Sequence, residues 1–407
     1  MKKSLHLLFL FAFLHLSSNL SAQWQPCNSG LIEAYCLMST SGKILAGTSI
    51  GTFASIDNGL TWSASNTGMS SSPNAFIYSL GENSAGIFAG ANQTIYFSND
   101  NGLSWSIVDS SSYRTKCFAF LGDTAFAATL GGGILMSPDN GLTWTQMNNG
   151  ITTDSIYSIV TKGHQLFAGT HGKGVFVSSN SGINWTNVSN GLQLQTNINC
   201  LKTDGTNLYA GTIYNIPDYT SYGMFISSNN GASWTHVNNT LDSSAIYDIL
   251  CVGNVVLASN GIVYRSADQG ITWSLFDDNI DYIGCGTHGY VDCFSASPNY
   301  VYCGTSGGCP NIYHRDINQA LSVNDIQSNN PSFTLYPNPT QSTINIDYNP
   351  AYGEVSLDIY NLMGALIKTY TLNSSHNNIN IAFLAKGMYF IKIKNQQSVK
   401  CLKFEKI

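Results

Sequence analysis

Two stretches collect the side chains that could hold or process a sugar. Ile213 to Tyr222 supplies Tyr214, Asp218, Tyr219 and Tyr222; Asp277 to Tyr290 supplies Asp281, Tyr282, His288 and Tyr290. Tyrosine rings cover the C–H face of a pyranose, and carboxylates accept its hydroxyls. Two acids across a cleft would do more, because glycoside hydrolysis needs a general acid and a base or nucleophile. Asp218 and Asp281 are available, but nothing around them marks them as catalytic, so no catalytic residue is assigned. Ordered surface insertion is the plainer reading of both stretches, although long loops in compact domains often carry function.

The remaining reactive residues point to less. Cys285-Gly-Thr-His288 with Cys293 could be a zinc site, but the spacing fits no established ligand pattern. No metal and no cofactor is therefore assigned. Cys285, Cys293, Cys303 and Cys309 cluster near one another and could be disulfides or free thiols; the pairing cannot be deduced. Arg114, Arg265 and Arg315 are the only arginines in 407 residues. Residues 23–315 carry 8 Lys and Arg against 17 Asp and Glu. So acidic a segment, with so few arginines, excludes a nucleic-acid partner, which needs clustered cations.

The elements that must position these residues are repeats. Ser137-Pro-Asp-Asn-Gly-Leu-Thr-Trp144 recurs at Ser55, Ser98, Ser178, Ser227 and Ser266 as Ser-x-Asp/Asn-x-Gly-x-Thr/Ser/Asn-Trp. Tryptophans 62 to 273 fall 43, 39, 41, 49 and 39 residues apart, which is a repeat architecture. Each copy sits between an apolar alternating run and a Trp-led run: strand, tight turn, strand. The acid or amide, Asp57, Asp100, Asp139, Asn180, Asn229 or Asp268, can accept amides of its own turn, and the glycine can take positive φ. These six side chains are read as structural. The 49-residue interval reflects the loop at 213–222.

A second signature, Ala-Gly-Thr or a close variant, occurs seven times, from Leu45-Ala-Gly-Thr48 to Tyr302-Cys-Gly-Thr305. Cys36, Cys117, Cys200 and Cys293 hold one equivalent position in the preceding strand, where other repeats place Ser79, Ser158 and Asp248. A shared small position near a central channel is the reading adopted. Trp24 to Leu31 matches the last strand of a repeat, and 292–315 matches the first three strands of another. The two ends together complete one repeat, leaving no free sheet edge. The expected fold is all-β: a seven-bladed β-propeller over 23–315, its N-terminal strand closing the last blade.

Residues 1–22 read as a signal peptide, with Lys2 and Lys3 before an apolar run at Leu5–Leu16 and small residues before Gln23. No other long apolar run exists, so no transmembrane segment is expected in the mature chain. Residues 316–331 are polar, without aromatics, and read as a linker. Residues 332–407 hold seven short alternating runs, expected to form a small antiparallel β-sandwich.

The octapeptide resembles the Asp-box, or BNR repeat, of sialidases, photosystem II stability and assembly factors, sortilin-type receptors and some xyloglucan-degrading enzymes. That resemblance implies a propeller with its boxes on the rim, away from the ligand face. Sialidases also need three converging arginines; Arg265 precedes a box and Arg315 ends the last repeat, so convergence is not expected here. Leu335-Tyr-Pro-Asn-Pro339, Ile359-Tyr-Asn-Leu-Met-Gly364, Ala385-Lys-Gly-Met-Tyr-Phe390 and Lys403-Phe-Glu-Lys406 resemble the type A C-terminal sorting domain of the Bacteroidetes type IX secretion system. This resemblance implies export, with the secretion machinery as partner of 332–407, and a secreted or surface-attached product. The expected function is a binding module for a polysaccharide or surface protein. The alternative is a glycoside hydrolase, not a typical sialidase.

Overall fold

The computed structural model describes residues 23–27, 31, 33–70, 76–110, 113–193, 195–214, 220–237, 241, 244–280, 290–306, 312–321, 334–337, 339–347, 355–361, 366–372, 374–394 and 399–407. The chain divides into two compact units, Met1–Val323 and Asn324–Ile407.

The first unit is a β-propeller. Its described residues form seven four-stranded antiparallel sheets. Their innermost strands are Cys36–Thr40, Ser79–Asn83, Arg114–Leu121, Ile156–Lys162, Asn197–Thr203, Asp248–Val252 and Tyr290–Ala296. Consecutive inner strands lie side by side, and the last lies against the first. Six sheets are built from four consecutive strands. The seventh draws Gln25–Pro26 onto Ile312–Asp316, with Gln25 opposite His314 and Pro26 opposite Tyr313. Trp24 is fully buried there, its indole N–H on Phe276 O at 2.7 Å.

Each octapeptide is a self-satisfied turn. In the first, Ser55 Oγ donates to Asp57 Oδ1 at 2.8 Å and accepts the Gly59 amide at 2.8 Å; the Thr61 amide donates to Asp57 Oδ1 at 2.9 Å. The residue after the acid takes the left-handed conformation in every copy, Asn58 at φ 61° and Ser181 at 56°. Asn180 and Asn229 make the same bonds through Oδ1. In four of the six boxes the tryptophan then reaches the preceding sheet: Trp62 Nε1 donates to Cys27 O, Trp105 to Ser65 O, Trp185 to Met147 O and Trp234 to Val188 O, all within 2.7–2.8 Å, whereas Trp273 bonds Gly270 O of its own box. The box thus ties neighbouring sheets at the outer edge.

Ala-Gly-Thr does the same work inside. Cys36 lies opposite Gly47, Ser79 opposite Gly90, Ser158 opposite Gly169, Cys200 opposite Gly211 and Cys293 opposite Gly304. A β-carbon at Gly47 would stand 2.5 Å from Cys36 Sγ, and at Gly211 2.5 Å from Cys200 Sγ. The glycine makes room for a small polar group that turns to the next sheet: Cys36 Sγ to Ile77 O, Ser79 Oγ to Thr115 O, Cys200 Sγ to Ile246 O, Cys293 Sγ to Ala34 O. In the third sheet Ala128 replaces the glycine, and the Cys117 thiol goes to Ile159 O instead.

One open sequence alternative is narrowed and one expectation needs correction. Cys293 and Cys303 are free thiols, so neither joins a disulfide; Cys285 and Cys309 lie outside the described residues. The stretch 316–331 does not begin as linker: Asp316 ends a strand and Ile317–Leu321 is a helix with Ala320 buried.

The second unit has a three-stranded sheet (Thr334–Tyr336, Thr343–Asp347, His376–Asn380) and a four-stranded sheet (Leu366–Leu372, Val355–Tyr360, Gly387–Lys394, Val399–Lys406). Alternation places Ile344 and Ile346 of one sheet and Leu357, Ile359, Ile391 and Ile393 of the other in a single core.

Candidate ligand site at the channel mouth

A cavity of about 200 Å³ opens where the seven inner strands begin. Its rim is one residue per sheet: Tyr35, Tyr78, Lys116, Tyr157, Asn199, Tyr247 and Asp292. Each stands immediately before the Cys, Ser or Asp position of its inner strand. Four of these inner strands carry a β-bulge at that residue, between Thr115 and Cys117, Ile156 and Ser158, Ile198 and Cys200, and Val291 and Cys293. A bulge leaves its extra residue unpaired and re-aims its side chain. The other three show the same beginning, the Tyr35, Tyr78 and Tyr247 amides donating to Gly47 O, Gly90 O and Ser259 O at 2.8–2.9 Å. A repeated backbone irregularity therefore builds the rim.

The rim is aromatic and charged. Tyr35, Phe76 and Tyr78 form a cluster with ring centroids 5.7–6.1 Å apart. Arg114 lies over the Tyr78 ring at 4.6 Å, and its Nε donates to Asn92 Oδ1 at 2.9 Å. The Lys116 ammonium is 5.9 Å from the Tyr157 ring, whose other neighbour is His171 at 5.8 Å. Tyr35 donates to Glu33 Oε1 at 3.1 Å; burial first, then that carboxylate, pushes its phenol up to about 12. Burial pushes the Cys36 thiol up to about 12 as well, which suits a structural thiol rather than a nucleophile or metal ligand. Among the described residues no group of three His, Cys, Asp or Glu could hold a metal ion.

Asp248 stands where other sheets have Cys or Ser. It pairs with Lys202 at 3.4 Å and accepts the Phe294 amide at 2.9 Å, so it links three successive sheets. Asn199 adds bonds to Ile246 O and Tyr247 O.

Of the eight residues proposed from sequence, Tyr214, Tyr222 and Tyr290 are described; Asp218, Tyr219, Asp281, Tyr282 and His288 lie outside the described residues. Tyr290 is 46% exposed and its ring is 6.0 Å from Tyr247 on the rim. Tyr214 is 48% exposed, and burial together with Tyr214, Asp292 and Tyr290 raises the Tyr247 phenol, which puts both sequence candidates beside it. Tyr222 is different: it packs on the Phe167, Val175 and Phe225 core, and its carbonyl accepts from His236 Nε2 at 2.7 Å. The sequence reading missed the rim itself. Its signal was present, as tyrosine beside the cysteine position in four of seven repeats.

The three arginines do not form one cluster: Arg114, in the third sheet, lies on Tyr78. Arg265 and Arg315 do converge, but on the buried Phe276 ring, at 5.6 and 3.8 Å. Arg265 Nε donates to Ala320 O at 2.7 Å, and Arg315 pairs with Asp278 at 3.5 Å. They brace the closing sheet rather than a ligand.

Comparison with known proteins bears on both units. The model of the secretion system C-terminal sorting domain matches residues 334–405. The second unit is that sorting domain. The BNR/Asp-box repeat model matches residues 264–275, in the sixth box. No curated protein matches by sequence. Among solved structures the chain is similar to the GH74 enzyme of Niastella koreensis, with TM-score 0.59, 16% identity, 80% of this chain and 59% of that one. It is similar to PorZ, a bacterial surface component of the type-IX secretion system of Porphyromonas gingivalis, with TM-score 0.51, 13% identity, 93% and 60%. It is similar to YCF48 from Cyanidioschyzon merolae, with TM-score 0.54, 16% identity, 73% and 99%. At these identities the likeness is one of fold. The chain spans only about six-tenths of the first two. The sorting domain marks the chain for export by the secretion machinery, and no helix among the described residues is long and apolar enough to cross a membrane.

Proposed function

We propose that this chain is a secreted or surface-attached binding module: a seven-bladed propeller over 23–315 that presents its channel mouth to a glycan. A signal peptide at 1–22 would start its export and the sorting domain would complete it. The observation that carries the binding site is the rim of seven side chains, four of them at β-bulges and four of them tyrosine, flanked by exposed Tyr214 and Tyr290. A small polar pocket with convergent hydroxyl, amide and charged groups suits one sugar unit at a chain end. A hydrolytic reading would need two acids across this mouth. Asp248 is held by Lys202 and the Phe294 amide, which favours binding over hydrolysis.

The test uses the mature chain, residues 23–407, with a panel of plant, algal and bacterial polysaccharides, scoring both retention and new reducing ends. Retention that falls at least tenfold in Tyr157→Ala and Tyr247→Ala, without cleavage, is the expected result. Release of reducing ends would make the chain a glycoside hydrolase. Absence of retention would leave a protein ligand as the alternative.

A further inference from the structure

The charges of the mouth do not balance locally. Its acids have partners: Glu33 accepts from Tyr35, Asp248 pairs with Lys202, and Asp292 makes interactions of its own. Its cations are less well matched. Arg114 and Lys116 stand two residues apart at the start of the third inner strand. Among the described residues Arg114 bonds only a neutral amide, Asn92, and otherwise lies on Tyr78; its side chain is exposed. The Lys116 ammonium has no hydrogen bond or ion pair among the described residues, although it lines the cavity. A partly buried ammonium beside a second cation is costly unless an anion arrives.

Resting on the glycan-binding reading, we propose that Arg114 and Lys116 form an oxyanion subsite, so that the mouth selects a sugar carrying a carboxylate or sulfate. The guanidinium offers paired donors in a planar fork and the ammonium a point charge, a combination that suits either oxyanion. Tyr78, Tyr157 and Tyr247 bring hydroxyls to the same rim, and Asn199, whose amide N–H groups are held by Ile246 O and Tyr247 O, its amide oxygen, for the hydroxyls of the sugar. Asp292, in the seventh sheet, lies across the ring and directs the anion toward the third. Burial first, and then Arg114, depress the Lys116 ammonium below the ordinary lysine range, and the opposing pull of Asp292 across the mouth does not offset them. A peptide carboxylate shares the anion chemistry, but this hydroxyl- and amide-bearing wall matches a sugar better than an apolar side chain.

The experiment is titration calorimetry of the mature chain with four probes: trigalacturonic acid, its methyl ester, a sulfated galactose trisaccharide and a tripeptide with a free carboxyl end. Expected is at least tenfold tighter binding of the acidic sugars than of the ester, with that preference lost in Lys116→Gln and in Arg114→Gln. Preference for uronate over sulfate, or the reverse, identifies the source of the oxyanion. Equal binding of acid and ester would overturn the inference and leave the glycan reading standing. Binding of the peptide alone would overturn both, as would binding of no probe. Thermal unfolding of each variant controls for folding, and exposed Arg114→Gln decides the matter if Lys116→Gln does not fold.

Discussion

The thiol of Cys293 occupies the space that a β-carbon would need at Gly304, 2.8 Å away. The same thiol reaches Ala34 O at 3.7 Å, so one small side chain both fills a gap in its own sheet and touches the first. The relationship predicts a rescue. Gly304→Ala should lower stability by about 1–3 kcal/mol through overpacking. Cys293→Ala in the same chain should recover most of it, because the next atoms, Ala34 Cβ and O, are 3.3 and 3.4 Å away. At Gly47 the matching pair, Gly47→Ala with Cys36→Ala, should not recover, since Ile77 O lies 2.8 Å from the added carbon. Urea unfolding of the four variants measures the difference; equal rescue at both sites would refute the packing argument.

The tryptophans of the boxes are not equivalent. Trp105 donates to Ser65 O at 2.7 Å, whereas the buried Trp144 Nε1 has no hydrogen-bond partner among the described residues. The carbonyl that Trp144 would use belongs to the strand Ser106–Asp109, whose register slips between Ile95 and Tyr96 and leaves Val108 as the extra residue. Trp105→Phe should therefore cost about 1 kcal/mol for the lost hydrogen bond, beyond the change in ring size. Trp144→Phe should be close to neutral, because it removes an unsatisfied donor. Paired unfolding curves decide this, and an equal cost for both would contradict it.

Much of this organisation is legible because its chemistry is local. A box closes within eight residues, so Ser, Asp, Gly and Trp must appear together. The glycine of Ala-Gly-Thr answers a cysteine or serine about ten residues earlier, within one hairpin. Trp24 and Phe276 meet only because the chain closes on itself, and that too could be read from the split repeat. The rim could not be read in the same way. Tyrosine before the Cys, Ser or Asp position in four repeats is the one hint of it, whereas Lys116, Asn199 and Asp292 share with Tyr157 a backbone bulge rather than a residue type, so no motif marks them. Arg265 and Arg315 are brought onto Phe276 by the packing of the sixth and seventh sheets, which spacing along the chain does not reveal.

The boxes should also respond to acid. Bonds from Thr61, first its hydroxyl and then its amide, and from Ser55 hold Asp57 down at about 2. Asp139 is lowered by the same set from Thr143 and Ser137. A carboxylate with a depressed folded-state value contributes stability above its unfolded value, near 3.9, and loses it as pH falls toward 2. Asp57→Asn keeps the acceptor, as Asn180 and Asn229 do naturally. It should leave the midpoint of thermal unfolding at pH 7 nearly unchanged and reduce the fall between pH 4 and pH 2. Unfolding followed by fluorescence across that range is the measurement; an unchanged acid profile would count against the box carboxylates as its source.

Ring closure offers the largest single effect. Trp24 is wholly buried against Phe276, edge to face at 6.0 Å, and the Asn279 side-chain amide holds its carbonyl at 2.9 Å. Phe276 in turn carries Arg315 on its face at 3.8 Å. Removing the indole empties the centre of this stack and frees the strand that covers the edge of Ile312–Asp316. Trp24→Ala should cost about 3–5 kcal/mol. Because that edge would then open to other chains, the variant should also associate at concentrations where the parent stays monodisperse. Trp24→Phe should restore most of the stability but not the bond to Phe276 O. Light scattering beside chemical denaturation separates the two effects: destabilisation without association would mean that Gln25–Pro26 stays paired without its anchor, held by the Cys27 amide on Ile312 O at 2.7 Å.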